Sequence, residues 1–299
     1  MARLFVVATP IGNLNDLTPR MREALACADL IAAEDTRVTM KLLNRMELKK
    51  PLVSCHRHNE DARAPQLIER MLAEDLTVAL TCDAGTPAIS DPGHLLVRAA
   101  WEAGIPVTPV CGPSAVTAAL SAAGFDAREF AFFGFLPREK KALNEKLDAV
   151  RATGVPVAVF YESPHRVVAL VEAIAARWPQ CLLAVFADLS KKFEWLLRGA
   201  PEDVLAQLRA NANVEKGEYC LAVDLSPLPA PQASEPVSGS AVALMAECLY
   251  AGGTLEEASA AAKAAGFARN EVYRAGLFLR PLADDRAAKA AGRKDRLEE

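Results

Sequence analysis

The sequence predicts an α/β protein: two α/β domains in series, followed by a small helical module at the C-terminal end. Three observations predict it. Short apolar, β-branched runs alternate with helix-period patterns through about residue 225. The strand-type runs are almost continuously apolar, as parallel strands covered on both faces are. A Pro- and Ser-rich stretch then separates this region from three short helical patterns punctuated by Gly.

Leu4-Phe5-Val6-Val7-Ala8 opens the chain as a strand over 4–9. Thr18-Pro19 is a cap followed by proline at the first helical position, so a helix runs over 19–27. Further strands are expected at 29–33, 51–54, 76–81 and 106–110, with helices at 38–46, 60–74 and 94–103. A small-residue helix over 114–123 starts the second set. Its strands are expected at 130–133, 155–160, 182–186 and 219–225, and its helices at 139–151, 165–176 and 201–209. The domains are placed at 1–112 and 113–226, facing a shared cleft, with a linker at 227–239. Helical patterns at 240–251, 254–265 and 269–279 make a module over 240–282, and 283–299 is a charged, frayed tail. Gly252-Gly253-Thr254 and Gly266 sit between these patterns, which suits either a helix-turn-helix or a small docking bundle.

Half of the 299 residues are apolar, and the net charge is −4, so the chain is no uniformly basic nucleic-acid binder. The seven Cys are odd in number and lack CxxC spacing, which points to reduced thiols in the cytoplasm. No apolar run approaches the 18 residues of a membrane span, and the first strand begins too early for a signal peptide.

The richest stretch is Thr81–Gly93, a loop of Gly, Pro, Asp and small residues between a strand and a helix. Three other strand ends carry compact turns: Thr9-Pro10-Ile11-Gly12-Asn13-Leu14, Glu34-Asp35-Thr36-Arg37 and Cys111-Gly112-Pro113-Ser114-Ala115. In a parallel sheet all four project to one edge, where ligands bind. No GxGxxG follows the first strand and no GxxxxGK[ST] occurs, which argues against nicotinamide cofactors and nucleoside triphosphates. His56-Arg57-His58 has a spacing that can hold a metal, but histidine in such a loop more often contacts phosphate or caps a helix, and no metal is expected. Asn59 is a cap candidate for the following helix. Phe130, Phe132, Phe133 and Phe135 read as strand core rather than a base-stacking platform.

Seven motifs in order carry a resemblance. They are Thr9–Leu14, Ala33–Arg37, His58-Asn59-Glu60, Asp83–Pro87 with Asp91-Pro92-Gly93, Gly112–Ala115, Gly134–Pro137 and Phe160–Arg166. Over residues 3–225 the chain resembles the 16S ribosomal RNA cytidine 2′-O-methyltransferases, a family of the tetrapyrrole-methylase-like class. The 240–280 region is similar to that family's helix-turn-helix extension. The resemblance implies S-adenosylmethionine (SAM) folded into the interdomain cleft, a homodimer, and 16S rRNA of the small ribosomal subunit as partner. By the same resemblance Asp83, Ala84, Gly85, Thr86, Pro87 and Ile89 line the cofactor, with Gly112, Pro113, Ser114 and Ala115 opposite. Pro10 and Gly12 form the cleft floor, and Tyr161 comes from the second domain. One departure stands out: the family reads Arg-Glu-Leu-Thr-Lys where this chain has Ala187-Asp188-Leu189-Ser190-Lys191. An Arg lost there weakens RNA binding if the family Arg grips RNA.

Transfer to a ribose hydroxyl needs alignment, a proton acceptor and stabilisation of developing charge. Candidates at the predicted edge are Glu34, Asp35, Asp83, Asp91, Glu162, His165 and Lys191. Glu34 or Asp35 is favoured as proton acceptor, with Arg37 as phosphate or alkoxide partner and Lys191 beside them. The plainer role for Asp35 is an ion pair or helix cap. Asn13 can bond ribose or hold a left-handed turn. Arg57, Arg138, His165, Arg166 and Lys192 are the basic candidates for RNA phosphates. Two other readings remain: a corrinoid-precursor C-methyltransferase of the same fold, and a non-enzymatic ribosome assembly factor.

Overall fold

A computed structural model describes residues 1–229 and 240–294, with side chains as far as residue 283. The expected linker therefore lies almost wholly outside the described residues. The chain divides into two units, Met1–Pro229 and Ala230–Glu299.

In the first unit, four strand–helix steps and a fifth strand come first: β1 (Arg3–Val7), α1 (Pro19–Cys27), β2 (Leu30–Ala33), α2 (Thr36–Arg45), β3 (Leu52–Ser54), α3 (Glu60–Glu74), β4 (Thr77–Thr81), α4 (His94–Glu102) and β5 (Val107–Val110). The strands form one sheet in the order β3-β2-β4-β1-β5, and every pairing is parallel. Alternation along β4 explains the layers. Val78 and Leu80 face α3 and α4, in a core with Leu67, Met71, Leu96 and Ala100. Ala79 faces α1 and α2, with Met21, Leu25, Leu42 and Leu43. Thr18 caps α1 as expected, its hydroxyl accepting from Met21 N–H at 3.1 Å, with Pro19 at the first helical position. Pro109 is tolerated inside β5 because that strand is an edge. From β1 the chain moves toward β2 and β3, whereas from β4 it moves the other way to β5. The sheet therefore has its topological switch point between β1 and β4, the place where ligands bind in open α/β sheets.

The second sheet follows α5 (Ala115–Ala123). Its elements are β6 (Phe130–Phe135), α6 (Lys140–Ala152), β7 (Val157–Glu162), α7 (Val167–Arg177), β8 (Leu182–Ala187), β9 (Trp195–Gly199), α8 (Pro201–Ala210) and β10 (Tyr219–Asp224). The order is β6-β7-β10-β8-β9, parallel only between β6 and β7 and antiparallel elsewhere. Helices α6, α7 and α8 cover one face over Phe160, Val185 and Leu221. The other face carries α5 over Val159, Phe186 and Cys220. The edge strand β9 is not anticipated by the apolar pattern.

The second unit holds α9 (Ala241–Tyr250), α10 (Leu255–Ala264) and α11 (Arg269–Lys294). Thr254 and Glu257 form a capping box at α10. Met245, Leu249, Ala258, Ala262, Val272, Ala275 and Leu279 make its core. Helix α11 runs on to Lys294, well past the expected end at 279, so its backbone is helical where a frayed tail is expected. Among the described residues no helix is long and apolar enough to cross a membrane.

Candidate active site

The four turns expected at the carboxyl edge are linked to one another. Thr9 and Gly85 exchange backbone hydrogen bonds, Thr9 N–H to Gly85 O at 2.8 Å and Gly85 N–H to Thr9 O at 3.0 Å. The Thr86 hydroxyl donates to Pro113 O at 3.3 Å, which ties the loop after β4 to the loop after β5. Asp83 N–H donates to Glu34 Oε2 at 3.3 Å, and Asp35 N–H donates to Asp83 Oδ1 at 3.1 Å, so the loop after β2 joins them. Gly85 has φ +83°, a left-handed conformation that favours glycine. A Cβ on Gly112 would run into Met21 and Ala8, so this glycine packs its loop tightly on β1.

Beneath these turns lies a chamber of about 250 Å³. Ile11, Ala84, Gly85, Thr86 and Ile89 line it from the first sheet, with Ser114 and Ala115 at the start of α5. The second sheet supplies Tyr161, Glu162, Phe186, Leu189, Cys220 and the turn before β10. Of the expected cofactor residues, Ala84, Gly85, Thr86, Ile89, Ser114, Ala115 and Tyr161 line this chamber. Pro10, Gly12, Asp83, Pro87, Gly112 and Pro113 do not; they shape and tie the loops behind it. Sequence reasoning missed Ile11, Phe135, Phe186, Leu189 and Cys220. Period-2 alternation along β8 and β10 is the signal that finds Phe186 and Cys220, since their neighbours face the opposite core.

A second, wider chamber of about 700 Å³ lies across the Ala88–Pro92 segment. Arg57, Glu60, His94, Phe132, Phe133, Gly134 and Phe135 complete its lining. Ile89, Ser90, Asp91 and Phe135 line both chambers.

The catalytic candidates separate by environment. Asp35 caps α2 by accepting from Arg37 N–H at 2.8 Å, and its carboxylate pairs with the Arg37 guanidinium at 2.6 Å. That pairing holds the Asp35 carboxyl down at about 2, so it is a poor proton acceptor. Arg37 is committed to this pair. Lys191 donates to Asp188 at 2.8 Å and Glu218 at 2.9 Å. Burial alone would lower its ammonium, but those two carboxylates outweigh it and raise it, so Lys191 is a fixed cation and not a base. Glu34, Asp83 and Asp91 are all raised, in each case chiefly by burial. Asp83 and Asp91 add repulsion at Glu34, Asp35 adds it at Asp83, and Asp83 adds it at Asp91. Glu162 is buried, raised by that burial, and lies 3.1 Å from Arg166.

Several other expectations change. Asn13 is extended at φ −118° and caps the short turn Leu14–Asp16 through Asn15 N–H, so it holds no left-handed turn. Asn59 does not cap α3 with its side chain; its amide folds back to His56 N–H and Ser54 O. Arg166 donates to Leu136 O and Pro137 O at 3.0 and 2.9 Å and pairs with Glu162, which engages it internally rather than toward phosphate. Arg57 donates to Ser90 O at 2.9 Å while lining the wider chamber. Arg138, His165 and Lys192 are exposed, with the Lys192 ammonium over the Phe193 ring. Ala187 is fully buried in the core beneath α6–α8 and does not line the chamber. Asp188 and Ser190 have φ +52° and +69°, and Ser190 Oγ donates to Asp16 Oδ2 at 2.5 Å, which seats this loop against the β1 turn. Among the described residues no group of three His, Cys, Asp or Glu side chains is arranged to hold a metal.

The model for tetrapyrrole (corrin/porphyrin) methylases matches residues 3–204. A protein named ribosomal RNA small subunit methyltransferase I from Xylella fastidiosa is 44% identical over 221 residues, covering 74% of this chain and 80% of that protein. The protein of the same name from Haemophilus influenzae is 39% identical over 277 residues, 92% of this chain and 96% of that one. Among solved structures, a diphthine synthase superposes with a TM-score of 0.56 at 17% identity, over 74% of this chain and 89% of that one. A Thermus thermophilus uroporphyrin-III C-methyltransferase complexed with S-adenosyl homocysteine gives 0.52 at 18% identity, over 74% and 97%. These two likenesses establish the shared fold. With the switch-point chamber, the two sheets and matches of this extent, the chain belongs to the tetrapyrrole methylase family.

Proposed function

We propose that this chain is a SAM-dependent methyltransferase that methylates the ribose 2′-hydroxyl of a cytidine in 16S rRNA of the small ribosomal subunit, working as a cytoplasmic homodimer. The observation that carries the reading is the chamber at the β1/β4 switch point, built from loop backbone on one wall and apolar side chains on the other. Its residues fit a nucleoside with a charged amino-acid tail. Ala84–Thr86 and Ser114–Ala115 offer main-chain groups, and Ile11 and Phe186 offer apolar contact. Glu162, on the chamber wall, keeps its buried Oε2 paired with the Arg166 guanidinium at 3.1 Å. When bound, SAM supplies an electrophilic methyl group. The chain's own residues exclude water from the chamber, orient the hydroxyl and take its proton. Tyr161, raised by burial, stays neutral. Lys191 holds the Leu189 loop closed against Gly12, where a Cβ would meet both. The relatives' names support RNA as the acceptor.

The test is incubation with 16S rRNA or small subunits and methyl-tritiated SAM, followed by nucleoside analysis. Label in 2′-O-methylcytidine is expected. Label only in a corrinoid precursor would move the reading to C-methylation. No transfer to any acceptor, with SAM bound, would favour the assembly factor.

A further inference from the structure

Among the described residues, those lining the two chambers all belong to the first unit, and the three-helix module has a surface of its own to account for. Val272, Ala275 and Leu279 turn one side of α11 into the module core. The other side stays in solvent although it is not polar: Tyr273, Leu277 and Phe278 are 68%, 50% and 75% exposed. Asn270, Arg274 and Leu277 stand in line at spacings of four and three, with Tyr273 and Phe278 to either side. The core needs neither ring, and exposed rings gathered on one helix face mark a contact surface. We infer that this face of α11 docks on an unpaired stretch of the 16S rRNA substrate, rings against bases and arginines on phosphates; this rests on the functional reading above.

Charge selects that occupant. The chain as a whole is acidic at −4, yet from Lys263 to Arg280 it carries four basic residues and one acidic. The acid, Glu271, is turned to the start of α11, where it accepts from Ala268 N–H at 3.1 Å. Arg269 and Arg274 are exposed, and among the described residues neither side chain has an ion pair or hydrogen bond. A free guanidinium beside an exposed ring suits single-stranded nucleic acid: phosphate takes the charge and an unstacked base takes the ring. A paired A-form helix would leave the rings idle, because its bases are stacked inside. A second copy of the chain fits less well, since two-fold pairing sets a patch against itself and brings like arginines together. The module follows the first unit in the same chain, so RNA held on α11 reaches the chambers at raised effective concentration.

The experiment uses the full chain with protein-free 16S rRNA and with intact small subunits, both lacking the modification. It compares wild type with Arg269→Gln/Arg274→Gln, Arg269→Lys/Arg274→Lys and Tyr273→Ala/Phe278→Ala. The readouts are binding across a salt series, KM and kcat for transfer from methyl-tritiated SAM to subunits, and sedimentation of the free proteins. The four side chains are exposed, so helicity by circular dichroism is expected to be retained. The glutamine pair is expected to weaken binding to protein-free 16S rRNA and to raise KM, each about fivefold or more, with kcat within about twofold and the slope of log K against log salt flatter by about 1.4. The lysine pair is expected to keep the slope. The alanine pair is expected to weaken binding about tenfold or more with the slope unchanged.

Wild-type affinity and KM in both the glutamine and the alanine pairs overturn the surface alone. Loss confined to intact subunits assigns the face to a ribosomal protein, and altered sedimentation of the free variants assigns it to a second copy; either overturns RNA docking here. Wild type that methylates neither form of 16S rRNA overturns the functional reading, and this surface with it.

Discussion

Asp35 and Asp91 both sit beyond the carboxyl ends of strands in one sheet, yet their surroundings move them in opposite directions. Asp35 meets a guanidinium and a helix N-terminus and is held at about 2. Asp91 meets burial and a neighbouring carboxylate and is raised. Composition and spacing identify carboxylates at this edge but not these differences, because partner and depth depend on how loops from distant strands meet. Lys191 shows the same limit: its position is legible, while its clamp by Asp188 and Glu218 arises only when β8 and β10 pair. A pH prediction follows for Glu34, Asp83 and Asp91. A carboxyl raised in the folded state contributes stability at low pH that is lost as pH rises through its folded pKa. At pH 7 the three are charged, so each bears the cost of its burial and, less, the repulsion of its carboxylate neighbours. Glu34→Gln is expected to stabilise the chain at pH 7 by a few tenths of a kcal/mol, a small effect because these groups are partly solvated, and to lose that gain by about pH 4. Urea midpoints at the two pH values measure it; a destabilised variant at pH 7 contradicts that cost.

Helix α4 begins at Gly93–His94 without a capping side chain of its own. Glu60, buried in the first turn of α3, supplies the cap by accepting from Gly93 N–H at 2.8 Å and Leu95 N–H at 2.7 Å. One carboxylate thus joins two helices and anchors the segment between the chambers. Glu60→Ala leaves one buried and one half-buried donor unpaired and is expected to cost about 1–3 kcal/mol in urea unfolding, with Glu60→Gln milder. Equal stability of Glu60→Ala and wild type would contradict the cap. The elements of the first sheet were legible because their apolar runs are bounded by strong signals such as Thr18-Pro19. The mixed direction of the second sheet was not, since β7, β8 and β10 are buried on both faces and read as apolar whichever way they run. Strand β9 escaped because Trp195–Gly199 is a half-exposed edge with no clean periodicity.

Across the first unit, a parallel sheet with a switch point creates the crevice, and a second, mixed sheet supplies the opposite wall. The first wall was readable from four strand-end turns, because parallel topology carries every strand's carboxyl end to one edge. The opposite wall was not, because Phe186, Leu189 and Cys220 carry no motif and become a surface only through register. The account stands on this chamber holding the adenosyl ligand. The most direct test is calorimetric titration of the full chain with S-adenosylhomocysteine, for wild type, Gly85→Val and Ser114→Trp. One site per chain is expected in wild type, weakened at least tenfold by either substitution. Absent binding in the wild type, or undiminished binding in both variants while the chain stays folded, would contradict it.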